Sequence, residues 1–159
     1  MTRISFLLPA LLLCSIAHAD VASVRRRVAN IDSMKLSSKT YNRADLSSEG
    51  AEISVWRDAK GAPRKVVARI YGEMGQVHDT IYLEKGLPLF LFTIDESYDG
   101  PLSLSVKVAK RQETRLYFDN GKLFLKREGT KTVPLTSAQK QAGNKLARHT
   151  IELYLVPGK

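Results

Sequence analysis

Two of the three histidines, a run of acids around Asp95, and a set of aromatic and basic side chains are the residues through which this chain could do chemistry. His78 falls on an expected strand and His149 on an expected helix. A zinc site needs about three or four convergent ligands, and neither histidine has a spaced partner. Asp95-Glu96-Ser97-Tyr98-Asp99-Gly100 puts oxygen side chains at the first, third and fifth places and glycine at the sixth, like the opening of a calcium loop. The bidentate Glu that such a loop needs at its twelfth place is missing, and Val106 stands there. The segment therefore reads as a turn at Asp99-Gly100-Pro101, and no metal or other cofactor is expected. Glu73 and Asp79 could meet across a hairpin as paired carboxylates, but they serve equally as surface acids balancing Lys65 and Arg69. The sequence has no Gly-x-Ser-x-Gly elbow and no phosphate-cradling Gly-x-x-x-x-Gly-Lys. No catalytic residue is assigned, and an enzyme is not expected.

The positive candidate is one face of a sheet. Alternation along strands places Trp56, Lys65, Arg69, Tyr71, His78, Tyr82, Arg115 and Tyr117 opposite the aliphatic residues. Rings with cations among them can stack on a partner and hydrogen-bond its anionic groups. Trp56, Arg69, Tyr71, Tyr82, Arg115 and Tyr117 are the candidate binding residues. The competing reading makes the same rings cross-strand pairs on a half-wet sheet, or a second core under a helix. Arg25-Arg26-Arg27 could touch anionic lipid, or could be the solvated face of a helix.

These side chains need elements to position them. Val21, Val24, Val28 and Ile31 recur at spacings of three and four, which predicts a helix starting near Asp20. Residues 37–50 are rich in Ser, Asn and Asp and read as a loop. From Ala51 to Lys126 the apolar period becomes two, broken by Gly-containing turns, which predicts successive hairpins. Residues 89–94 are apolar on both faces and predict a central strand. Leu102, Leu104, Val106 and Val108 predict a further strand with one wet face. Asn120-Gly121 marks a tight hairpin, because both residues accept positive φ. Thr136 with Gln139 forms a capping box, and Ala138, Ala142, Leu146, Leu153 and Tyr154 keep helical spacing beyond it. Ile81-Tyr82-Leu83-Glu84-Lys85-Gly86 echoes Leu116-Tyr117-Phe118-Asp119-Asn120-Gly121, two hairpins of the same build.

Residues 1–19 read as a signal peptide: Arg3, an apolar run, then Ala17-His18-Ala19 before Asp20. Cys14, the one cysteine, lies within it, so residues 20–159 can form neither a disulfide nor a thiolate metal site. The full chain has 25 Lys+Arg against 16 Asp+Glu; without Arg3 the remainder has 24 against 16, a net charge of +8. In an exported protein that charge points away from nucleic acid and toward anionic envelope components.

The order of motifs carries a resemblance. An amino-terminal helix precedes Trp56 with Gly61, Tyr71-Gly72-Glu73 with Gly75, and Tyr82 with Gly86. Tyr98-Asp99-Gly100-Pro101, Arg115 to Leu123 and a closing helix follow. The chain resembles a broad group of uncharacterised exported bacterial proteins with repeated aromatic-Gly hairpins between two helices. The resemblance implies export and fold but no mechanism.

The expectation is one α+β domain over residues 20–159: a twisted antiparallel meander of about six or seven strands, with both terminal helices on its aliphatic side and no transmembrane segment. The expected role is a periplasmic or secreted, non-enzymatic binding protein for an anionic envelope component or another exported protein. An inhibitor or immunity protein against a secreted hydrolase or toxin is one alternative, and a small envelope-acting enzyme is another.

Overall fold

A computed structural model describes residues 20–101 and 105–156. Residues 1–19, read above as a signal peptide, Leu102, Leu104 and the closing Pro157-Gly158 lie outside the described residues. Helix α1 (Val21–Asp32) is followed by eight strands: β1 (Ser37–Arg43), β2 (Ala51–Arg57), β3 (Pro63–Gly72), β4 (Gly75–Glu84), β5 (Leu87–Tyr98), β6 (Val108–Asp119), β7 (Lys122–Glu128) and β8 (Lys131–Val133). Helix α2 (Ser137–Leu155) closes the chain. The strands form one antiparallel sheet in sequence order, β1 through β8.

The sheet therefore has eight strands, not six or seven. One extra strand is β1, in the segment expected to be a loop. Its Ser-Ser-Lys-Thr-Tyr-Asn-Arg sequence is polar because an edge strand touches the core only through Tyr41 and Arg43. Another is β8, three residues long. The separate strand expected over Leu102 to Val108 does not run through residues 105–107, and the strand expected at Arg115 to Phe118 instead reaches back to Val108 as β6.

The helices lie on opposite faces, which corrects the expectation that both cover the aliphatic side. Ile53, Val55, Val66, Ala68, Ile81, Leu83 and Phe118 form the main core under α2. Val24 and Ile31 of α1 pack with Tyr82, Leu89 and Tyr117 in a second cluster, joined by Val21, Val28 and Phe90. The apolar face of α1 is the one its spacing predicts. That of α2 is so only at Tyr154, which is buried with Ala147 and Ile151, whereas Leu146 and Leu153 of the expected set are exposed. Gly143 sets how closely α2 approaches, because a Cβ there would lie 2.5 Å from Leu123 Cδ2.

Local chemistry fixes the ends. Asp20 caps α1 by accepting the Ser23 N–H at 2.6 Å. Thr136 and Gln139 form the capping box of α2. The buried Arg43 guanidinium donates to the Leu153 and Val156 carbonyls at 2.9 and 2.6 Å, satisfying the last turn of α2 from β1. Under α2, buried Asp79 accepts from Thr93 Oγ1 and from the Tyr154 hydroxyl, both at 2.6 Å. Burial first, then the neighbouring Asp79 charge, pushes the Tyr154 hydroxyl far above its ordinary range, so it stays a donor.

The sequence echo is structural. Lys85-Gly86 and Asn120-Gly121 are two-residue turns with positive φ at both positions. In each hairpin the register shifts just after the tyrosine, between Tyr82 and Leu83 and between Tyr117 and Phe118. The tyrosine goes under α1 and the next residue enters the α2-side core.

Candidate functional site

Eight strands present a wide face, and one twelve-residue helix covers part of it. The aromatic-basic set falls on this α1 side, and α1 divides it. Tyr82 is 7% exposed and Tyr117 3%, so both are floor under the helix. Their rings join a row with Phe90 and Phe124, with centroids 5.0–6.4 Å apart.

Polar contacts fix the position of α1 on that floor. The Tyr82 hydroxyl donates to both Asp32 carboxylate oxygens at 3.0 and 2.9 Å, and Lys65 Nζ donates to Asp32 at 2.9 Å. Lys65 also lies 4.9 Å from the Tyr82 ring centroid and 6.0 Å from that of Trp56. Burial opposes the Lys65 charge, but Tyr82 and Asp32 outweigh it and hold the ammonium above its ordinary range. Arg27 pairs with Glu84 and lies 3.8 Å from Asp119, tying α1 to both echoing hairpins.

Beside α1 the sheet is open, and a groove of about 300 Å³ runs along the helix. Val24, Val28 and Ala29 form its wall and Phe90 and Tyr117 its floor, with Asp32 at its edge. Arg25 and Arg115 line this groove and also a second one of about 320 Å³, which continues past Arg127 and Thr130. The two concavities share Arg25, Arg115 and Tyr117 and so form one surface.

Arg115 is pre-positioned. Its guanidinium lies 4.6 Å from the Phe92 ring centroid, donates to Glu113 at 2.7 Å and to the Gly129 carbonyl at 2.9 Å. Glu113 also accepts from Arg111, which donates to Glu96 at 2.6 Å. Arg115 first, then Arg111, holds Glu113 below its ordinary range. Arg25 is exposed and makes no ion pair among the described residues. Arg127 Nε is buried and finds no hydrogen-bond partner there.

The sequence candidates thus separate. Arg115 lines the groove, Tyr117 is its floor, and Tyr82 and Trp56 belong to the Lys65–Asp32 cluster at the end of α1. Arg69 is exposed on β3, opposite His78 and Glu52. Tyr71 lines a separate shallow concavity with Asn42 and Glu49. Arg69 and Tyr71 are not brought to the groove. Sequence reasoning missed Arg25 and Arg127 as groove residues, although the triple-arginine run that includes Arg25 was a signal for the first. Asp95 and Ser97 lie in strand β5 and not in a loop, and Asp99 accepts the Lys107 N–H at 2.8 Å, so the calcium-like run does not form a cation-binding loop. Among the described residues no group of three or more His, Cys, Asp or Glu could hold a metal ion, and no helix is long and apolar enough to cross a membrane.

The arrangement offers rings, aliphatic side chains and guanidinium groups, and its carboxylates are already engaged. Its chemistry is that of holding an anion with an apolar portion. No family model, curated protein or solved structure matches the chain.

Proposed function

We propose that this is an exported, non-enzymatic binding protein that seats an anionic envelope component in the groove beside α1. One observation carries the reading: Arg25 and Arg115 stand together over the apolar floor of Phe90 and Tyr117. A cationic mouth on an apolar trough suits an amphiphile with its charge next to its hydrocarbon. The leader-like residues 1–19, the net charge of +8 without them, and the resemblance to exported hairpin proteins support the envelope as the place where it works.

The test is titration of the processed protein with a short-chain phosphatidylglycerol kept below its micelle concentration. Phosphatidylcholine of the same chain length is the control, and Trp56 fluorescence is the readout. The anionic lipid is expected to bind at least about tenfold more tightly, and Arg25→Glu to abolish the difference. Arg25 is exposed, so the variant keeps the fold. Equal affinity for the two lipids, or an Arg25→Glu variant that still discriminates, would sink the proposal. Export is checked separately, by finding a chain that begins at Asp20 in the periplasmic or secreted fraction.

A further inference from the structure

The outer flank of α2 carries a row of apolar residues, interrupted by His149, that neither the core nor the groove uses. Ala142, Leu146, His149 and Leu153 recur at spacings of four, three and four, and Val156 stands at the C-cap just beyond the helix. All five are exposed, Leu146 and Val156 at 60% and Leu153 at 37%. The helix is already seated on the sheet through Ala147, Ile151 and Tyr154. Alternating spacings of four and three are the seam of a two-helix coiled coil. This seam lies on the flank of a surface helix with no partner among the described residues.

The charges beside the seam say what would cover it. Lys145 and Glu152 lie seven residues apart on its solvent-side edge. A second copy of α2 running the opposite way brings Lys145 of one copy beside Glu152 of the other, and twofold symmetry repeats the pair. A parallel copy would set this edge against the uncharged Thr150. An anionic bilayer would attract Lys145 and Arg148 but repel Glu152.

We propose that α2 pairs with α2 of a second copy, antiparallel, along the seam from Ala142 to Leu153. The seam is short against the roughly 1,200–2,000 Å² buried by standard stable interfaces, so the dimer is a weak, concentration-dependent one. The groove lies on the other face of the sheet and stays open in it.

Sedimentation velocity across micromolar to submillimolar loading tests this. The wild-type mass is expected to climb toward the dimer, while Leu146→Asp stays monomeric throughout. Glu152→Lys alone is expected to weaken association about tenfold, and the double variant Lys145→Glu/Glu152→Lys to restore it. These positions are exposed, and circular dichroism melting verifies the fold of each variant. A wild type monomeric at every loading, a dimer that survives Leu146→Asp, or a charge swap that fails to rescue would each overturn the proposal. So would loss, in Leu146→Asp, of co-sedimentation with phosphatidylglycerol vesicles by an otherwise monomeric protein, which would assign the seam to a bilayer. Arg25→Glu is expected to dimerise like wild type, so failure at the seam is separable from failure at the groove.

Discussion

Tyr82 and Arg69 share a face of the sheet and a place in the same aromatic-basic set, yet burial gives them different work. Tyr82 is wedged under α1, its ring beside Phe90 and its hydroxyl on Asp32. Removing it empties a site between two packed layers and leaves Asp32 with Lys65 as its remaining partner on the sheet. Truncating a buried aromatic to alanine costs about 3–5 kcal/mol. Tyr82→Ala is therefore expected to lose a large part of the protein's stability in urea denaturation, whatever it does to binding. Arg69→Glu changes an exposed side chain and is expected to shift stability by no more than about 0.5 kcal/mol. A Tyr82→Ala midpoint equal to wild type would mean that the tyrosine does not hold α1 to the sheet. Alternation put both residues on one face, and it could do no more. Which side chains on a face are covered depends on where a helix crosses, and no periodicity within a strand records that.

At the scale of elements, hairpin pairing is set by backbone approach as much as by side chains. Gly75 opens β4 opposite Ser97, and a Cβ there would lie 2.2 Å from the Glu96 carbonyl oxygen. The obstruction is backbone on a neighbouring strand, which cannot swing aside as a side chain can. Gly75→Ala is expected to destabilise by about 1–3 kcal/mol, whereas at Gly61, with φ +81, the Cβ of Gly61→Ala would meet no neighbour within 4 Å, and that variant serves as the contrast for backbone strain alone. Thermal melts of the two variants check this, and a Gly75→Ala protein as stable as wild type would contradict it. The hairpins from β2 to β5 and from β6 to β7 were legible because each has period-two apolar residues and a turn with a glycine, whereas the first half of β6, exposed from Val108 to Gln112, carries no such alternation. Strand β1 was not, because an edge strand with one inward ring carries almost no apolar alternation. The helix faces were half legible. The valines of α1 mark its buried stripe, but α2 carries two apolar stripes, and the sequence does not say which one meets the sheet. The sheet side chosen by each helix was not legible either, since both faces of β4, β5 and β6 hold large apolar residues.

Across the whole molecule, arginines bind the pieces together through carboxylates. Arg43 joins β1 to the end of α2 and pairs with Asp45 at 2.8 Å. Arg27 joins α1 to Glu84, Arg64 pairs with Asp58, and Arg115 with Glu113. Hydrogen bonding from Arg43 lowers the Asp45 carboxyl from 3.8 to about 2. Arg64 lowers Asp58, Arg27 lowers Glu84, Arg115 lowers Glu113, and Gln76 followed by Arg111 lowers Glu96. Every one of these shifts is downward, so the unfolded chain takes up protons before the folded one does as pH falls. The stabilisation is complete above the ordinary carboxylate values and is lost as pH drops through them toward the lowered folded values. Melting temperature is thus expected to be flat from neutral pH to about 5 and to fall by a few degrees between about 4.5 and 2, because solvent screens pairs as exposed as Asp45, at 61%. Asp45→Asn is expected to melt lower than wild type at neutral pH and to lose less on acidification, because its share of the proton uptake is gone. Parallel acid profiles for the two proteins would mean that Arg43 holds the end of α2 through its carbonyl contacts alone, with no contribution from the Asp45 charge.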